Sequence, residues 1–240
     1  MKRAMILFFV VPFFCTLMAQ TGGLLTQNPN IAHFQHDPIR GFKTLQKKAA
    51  HNLSVAWNQA NSTPSYVTGR LTDAGYSVSA EKAADGIRFL SENKELFGLR
   101  EPEKELKAVS SFTDQLAMTH IKYQQSVNNV RIYYSDVIVH FNSDGSIESV
   151  NGSYIPTPEI STVPAISSVA AISAAETSLK NYHPAGSTSE LVVYQKNNTP
   201  LLAYEVKLPS GAYPNMTLIV DASTGKVLKT DDGIRYDGPA

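Results

Sequence analysis

The stretch from Gln115 to Phe141, QLAMTHIKYQQSVNNVRIYYSDVIVHF, restricts the possible folds more than any other part of the chain. Two runs rich in Val, Ile, Tyr and Phe flank Asn128-Asn129, and Asn tolerates the positive φ of a tight hairpin turn. In the second run Val130, Ile132, Tyr134 and Ile138 share one face of a strand, and Tyr133, Val137, Val139 and Phe141 share the other. With both faces apolar, the pattern predicts an interior strand covered on two sides. A third run, Ser146–Tyr154, follows the turn Asn142–Gly145 and completes a meander on which the rest can pack.

The chain has 240 residues, 42% of them hydrophobic, enough for two modest cores. Lys plus Arg equals Asp plus Glu at 21 each, which leaves no electrostatic footprint for nucleic acid or an anionic membrane. At the amino end, Lys2 and Arg3 precede an apolar run from Ala4 to Phe14 that is too short to span a bilayer. The run ends in Leu17-Met18-Ala19 and reads as a signal peptide cut between Ala19 and Gln20, so the chain is expected to be secreted, with no stable membrane insertion. Phe14 before Cys15, the only cysteine, argues against lipid attachment there, and the exported chain would carry no thiol.

Residues 20–40 are turn-rich, and residues 20–62 read as an N-terminal arm holding a short helix over Gly41–His51, with Phe42, Leu45 and Ala49 on one side. Leu53, Val55 and Trp57 alternate as in a strand, and Pro64–Leu71 reads as another with a bulge at Gly69. The clearest helix is Ala80–Phe97: Ser79 is placed to cap it, Ala80, Ala83, Ala84, Ile87, Leu90 and Phe97 form its apolar stripe, and Gly98 ends it. Gly86 inside this helix costs about 1 kcal/mol relative to alanine and predicts close approach of another group. Strands follow near 104–112, 115–127, 130–141 and 146–154. Residues 155–164, IPTPEISTVP, read as a Pro-rich linker or stiff crossover between two domains. The second domain, residues 165–230, begins with helix Ser167–Tyr182, in which Ser168 is placed to cap and Val169, Ile172, Ala175 and Leu179 face inward. Strands at 191–195, 201–208, 217–221 and 226–229 complete it. The fold class is α+β: two small two-layer domains, each an antiparallel sheet on one main helix.

Residues Thr119-His120, Tyr123-Gln124-Gln125, Tyr133, Val137–Asn142, Gly145 and Ser149–Gly152 resemble the central hairpin of the fungalysin/thermolysin propeptide (FTP) domain of secreted thermolysin-like metalloproteases. The run FLSENKELFGL with its following proline resembles the same domain, placed here at 63–154. Leu201–Val206, Val220–Ala222 and Thr224–Val227 resemble the PepSY domain that follows it in such precursors. One departure stands in the hairpin: where these propeptides read Asn-Gly-Val-Pro-Val-Tyr-Gly, this chain has Asn128-Asn129-Val130-Arg131-Ile132-Tyr133-Tyr134.

Chemistry-bearing motifs are sparse. None of His33, His36, His51, His120, His140 and His183 begins a His-Glu-x-x-His pair, and no Gly-x-Ser-x-Gly elbow occurs. His33 and His36 read as part of an exposed polar arm. His120 and His140 fall on neighbouring strands, close together, but no third ligand pairs with them in sequence, which favours hydrogen-bonded strand histidines over a metal site. Asp231-Asp232 lies in a tail, 231–240, with no pattern to hold a geometry. Tyr133 and Tyr134 have two readings, packing or an exposed aromatic anchor, and a strand favours packing for at least one.

No catalytic, cofactor-binding or metal-binding residue is therefore assigned, and the chain itself is not expected to be an enzyme. What the resemblance implies is a pro-region acting as intramolecular chaperone and steric inhibitor of a protease domain, in cis or in trans. Zinc and calcium are expected in that protease domain alone. Maturation cleavage is expected near Tyr236, Asp237 and Gly238. The alternative is a free-standing secreted inhibitor or binding module, and near Ala240 the readings of an excised pro-region, a truncated gene and a free-standing relative stay open.

Overall fold

A computed structural model describes residues 36–78, 81–179, 182, 185–210 and 213–231. In chain order the elements are α1 (Pro38–Lys48), β1 (Ser54–Trp57), β2 (Pro64–Thr68), α2 (Lys82–Glu92), α3 (Lys94–Phe97), α4 (Pro102–Glu105), β3 (Leu106–Thr113), β4 (Thr119–Val127), β5 (Val130–Phe141) and β6 (Ile147–Ser153). They continue with α5 (Ser168–Ser178), β7 (Thr188–Lys196), β8 (Thr199–Ser210), β9 (Tyr213–Asp221) and β10 (Val227–Asp231). The fold is mixed α+β and mostly sheet.

The expected meander is present: β4, β5 and β6 pair antiparallel in sequence order, and Asn128 and Asn129 turn the first hairpin at φ 49° and 65°. The sheet runs β1-β2-β6-β5-β7-β8-β9-β10, with β3 on β4 and β4 on β5. β7 lies parallel to β5 at Arg131–Val192 and Ile132–Val193, so strands from before and after residues 155–164 share one sheet. That segment is no slack tether at its start. Ile155 and Thr157 are buried, and Thr157 binds the Gly98 carbonyl through its backbone N–H (2.9 Å) and Glu105 through its hydroxyl (2.7 Å).

β5 departs from the expected strand covered on both sides. Its pairing with β4 jumps from Gln124–Asp136 to Ser126–Arg131, so Ile132–Ser135 bulge out opposite Gln125. Tyr134 sits in the bulge at φ 53°. Tyr134 is 68% exposed, and past the bulge Val137, Val139 and Phe141 are fully buried while Asp136, Ile138 and His140 on the other side are half-buried. The backbone groups freed by the bulge find side-chain partners, as buried polar groups must. The Gln124 amide donates to the carbonyls of Ile132 (3.0 Å) and Ser135 (2.7 Å). Gln125, fully buried, accepts from the Ser135 hydroxyl and the Ile155 N–H and donates to the Ile155 carbonyl.

The long helix predicted over 80–97 is broken. Asn93 leaves helical geometry at φ −119°, and its side chain donates to the Phe89 carbonyl (2.8 Å), a local bond that competes with the helix ladder. Gly98 ends the second piece at φ 67°, as expected. Residues 79 and 80 lie outside the described residues; the helix starts after Glu81, and Gly86, Phe89 and Leu90 face inward while Ala84 is exposed. The close approach predicted at Gly86 comes from Tyr123, whose hydroxyl donates to the Ala83 carbonyl (2.8 Å) and sits where a Gly86 Cβ would be.

α1 starts earlier than predicted because Asp37 caps it, accepting from the Arg40 N–H (2.9 Å), with Pro38 in the first turn. Leu45 and Leu53 join the core that also holds Phe89, Phe97, Tyr123, Val137 and Phe141, so the boundary drawn at residue 62 falls inside a packed unit. α5 is capped by Ser167 rather than Ser168, and it buries Ala171 and Ala175 while Val169 is 73% exposed. This small-residue side brings the helix close to Tyr204, Val206, Leu208, Leu218 and Val220 of a second core.

Candidate interaction surface

Strand alternation puts the core and α1–α4 on one side of β1–β6, with Val67, Ile121, Tyr123, Val137, Val139 and Val150 pointing into it. Val130 packs both against the cluster of Val127, Ile132, Ile155 and Val193 that spans the β5–β7 pairing and against the core under α5, so α5 packs on the same side. The other side of the sheet has no helix over it among the described residues. Tyr66, Asn151, Ile138 and Lys122 occupy one row across β2, β6, β5 and β4, and Ser149, His140, His120 and Phe112 occupy the next across β6, β5, β4 and β3. Tyr66 is 43% and Phe112 59% exposed. β3 pairs only with β4, and beyond Leu106 all its residues are exposed, leaving a free edge.

His120 and His140 are brought together, as the strand reading expects. Their Nδ1 atoms lie 2.5 Å apart, His120 Nε2 is 3.0 Å from Asp114 Oδ2, and His140 Nε2 contacts Asn151 Oδ1. The hydrogen bond from His120 holds the Asp114 carboxyl below its ordinary value, with the N–H groups of Leu116 and Met118 assisting. Burial pushes His140 down, and the neighbouring His120 acts the same way.

A second cluster lies where β5 meets β7. Arg131 forks onto Glu190 (Nε–Oε1 3.1 Å, Nη2–Oε2 2.8 Å) and also binds Glu205, which is 8% exposed. The Glu190 hydrogen bond raises the Arg131 pKa, and Arg131 in turn holds Glu190 low. Beside it the two tyrosine readings divide between neighbours. Tyr133 packs against Val192, Ala203 and Ile219 at 9% exposure, and Tyr134 projects outward with its ring 4.2 Å from that of Tyr133 and Lys229 5.9 Å away. A non-glycine aromatic held at positive φ is strained by about 1–3 kcal/mol. Sequence reasoning missed this strain and the Arg131 clamp. The available signal was the hairpin departure, where Tyr134 and Arg131 replace the glycine and proline of the resembling pattern.

Among the described residues, no group of three or more His, Cys, Asp or Glu is placed to hold a metal ion, and no helix is long and apolar enough to cross a membrane. Cys15, Ala19, Gln20, His33, His183, Tyr236, Asp237 and Gly238 lie outside the described residues. His36 precedes α1 with its ring against Gly98, and His51 is exposed.

Residues 104–154, from the end of α4 through β6, match the Fungalysin/Thermolysin Propeptide Motif. Thermolysin of Alicyclobacillus acidocaldarius subsp. acidocaldarius is 30% identical over 195 residues, covering 75% of this chain and 34% of the relative. Bacillolysin of Bacillus subtilis strain 168 is 32% identical over 164 residues, covering 62% of this chain and 31% of the relative. The chain thus spans about a third of the length of the curated relatives it matches. Among solved structures, the YpeB C-terminal domain of Bacillus megaterium aligns over 83% of this chain and 98% of its own, at 15% identity and a TM-score of 0.36. The propeptide motif together with the thermolysin and bacillolysin similarity supports a thermolysin-like propeptide region.

Proposed function

We propose that this chain is the pro-region of a secreted thermolysin-like metalloendopeptidase, and that it assists folding of the protease domain and blocks it until cleaved. The observation that carries this reading is the propeptide motif over β3–β6, joined to similarity to thermolysin over 75% of the chain. The reading extends to an FTP-like domain over 63–154 and a PepSY-like domain over 165–230 joined through 155–164, with signal cleavage at Ala19-Gln20 and maturation near Tyr236–Gly238. The protease domain is the partner, in cis or in trans, and it would hold the zinc and calcium. This chain supplies no catalytic residue.

The chemistry runs through surface contact. A secreted protease that persists by a high unfolding barrier also faces a high folding barrier. A prefolded partner that binds the folding transition state lowers that barrier, and binding the native state adds stability by mass action. The open side of the sheet fits this role: Tyr66, Phe112 and Tyr134 are exposed aromatics, and the free edge of β3 offers unpaired backbone groups for strand addition. The strain carried at Tyr134 fits an outward-facing anchor, since the ring stays 68% exposed despite its contacts with Tyr133 and Lys229. With no cysteine after Ala19, blockade of the zinc cannot use a thiolate and is steric.

The test is refolding. Unfolded mature protease from the same organism is diluted into buffer with and without residues 20–240 of this chain. Higher recovery of native protease with the chain present supports the reading. Equal recovery, in a mixture where the protease regains no more activity after the chain is digested away, removes the chaperone role.

A further inference from the structure

Each imidazole of the His120–His140 pair has its second nitrogen engaged, so the ring protons can be counted. His120 donates from Nε2 to Asp114, which leaves its Nδ1 as a lone pair facing His140 Nδ1 at 2.5 Å. In the uncharged pair, His140 fills that gap by donating from Nδ1, and its bare Nε2 accepts from Asn151 with the carboxamide nitrogen turned inward. One added proton goes to His140 Nε2, which then donates to the Asn151 carboxamide oxygen it contacts. That state carries three ring protons and one positive charge, facing the Asp114 carboxylate. A second added proton has a single place left, His120 Nδ1. It would set two N–H groups head to head across 2.5 Å, a spacing that admits only one proton.

We propose that His120 and His140 form a one-proton site that acts as a pH-operated release for the open side of the sheet. The first added proton is accommodated by turning Asn151. The second forces the rings apart and breaks the Phe112–His120 stack, whose centroids lie 4.6 Å apart, on the edge strand β3. No other charge offsets this. β3 contributes uncharged Phe112, the β3–β4 turn contributes Asp114, β6 contributes Ser149 and Asn151, and the next charges on this side of β4 and β5, Lys122 and Asp136, pair with each other at 2.7 Å. The consequence for docking rests on the pro-region reading: the contact holds at neutral pH and loosens in acid.

Two measurements separate the site from that reading. Imidazole nitrogen-15 shifts of the isolated chain are followed from about pH 8 to about pH 4, across the ordinary histidine range. Two coupled steps at least about one pH unit apart are expected, with the lower step accompanied by shifts at Phe112 and Asn151. Two independent titrations that leave Phe112 and Asn151 unmoved would overturn the site, whatever the chain does to a protease. Inhibition of the protease in trans is then compared at about pH 7.5 and about pH 5, for the native chain and for His140→Gln, which keeps one histidine and removes the head-to-head clash. The acid-to-neutral ratio of inhibition constants should be about tenfold larger for the native chain than for the variant. Equal ratios would refute the release. Absence of inhibition at either pH, with the coupled titration intact, would remove the pro-region reading and leave the one-proton site standing.

Discussion

Replacing Gly86 by alanine should destabilise this protein, although the same change in an ordinary helix interior stabilises by about 1 kcal/mol. Gly86 lies in α2 on its buried side, and a Cβ there would run into the Tyr123 hydroxyl, with the ring carbon bearing it 3.0 Å away. Tyr123 cannot retreat cheaply. It is fully buried, its hydroxyl donates to the Ala83 carbonyl at 2.8 Å, and it is paired across β4 and β5 with Val137. Overpacking a site of this kind costs about 1–3 kcal/mol, which outweighs the propensity gain in most of that range. Tyr123→Phe alone forfeits one hydrogen bond, about 1 kcal/mol, because the Ala83 carbonyl loses a partner. The double variant Gly86→Ala/Tyr123→Phe removes the worst of the collision, so its cost should fall short of the sum of the two singles by about 1 kcal/mol or more. Urea unfolding of the four proteins, at constant slope, measures each difference. A Gly86→Ala protein more stable than the native chain, or strict additivity in the double variant, would refute the idea that Tyr123 is what requires glycine there.

Arg131→Met should cost about 2–3 kcal/mol, less than the loss of a fully buried ion-pair partner because Arg131 is partly open to solvent, and Arg131→Met/Glu205→Gln should cost less than Arg131→Met alone; urea midpoints decide, and a larger cost in the double would contradict the clamp. The Asp144 carboxyl is held at about 2 by the Ser146 hydroxyl and N–H and by Arg70, below its ordinary 3.8. Because its folded value is depressed, the stabilisation it gives is complete above about pH 4 and lost as pH falls toward about 2; Asp144→Asn should flatten thermal stability across that window, and an unchanged profile would sink the assignment. Tyr134→Asn should change stability by no more than about 1 kcal/mol, since strain relief offsets the lost ring contact, yet weaken protease inhibition by about tenfold or more; unaltered inhibition would remove Tyr134 from the contact.

The parts legible in the sequence are those fixed by local chemistry. Asn128-Asn129 marks its turn because few other residues enter the left-handed region, and Gly98 marks the end of α3 for the same reason. Gly86 signals close approach because an isolated helix glycine needs a packing reason. The misread parts depend on partners distant in sequence. The two apolar faces of β5 look alike until the bulge at Ile132–Ser135 is known, and that bulge is stabilised by Gln124 and Gln125 of the neighbouring strand. On α5 the expected Ile172, Ala175 and Leu179 do pack against the second core, but Ala171 takes the inward place that was read for the larger Val169, because the sheet beneath supplies the bulk. The proximity of His120 and His140 followed from the hairpin register. The partners of their outer nitrogens did not, because Asp114 lies in a turn and Asn151 on a third strand.

The most direct test of the account is an inhibition titration: residues 20–240 added to the mature thermolysin-like protease of the same organism near neutral pH, with peptide hydrolysis followed. The account predicts loss of protease activity at micromolar or lower chain concentration, reversed when the chain is digested, and no hydrolysis by the chain alone. Undiminished protease activity at saturating chain, or peptide turnover by the isolated chain, would contradict it.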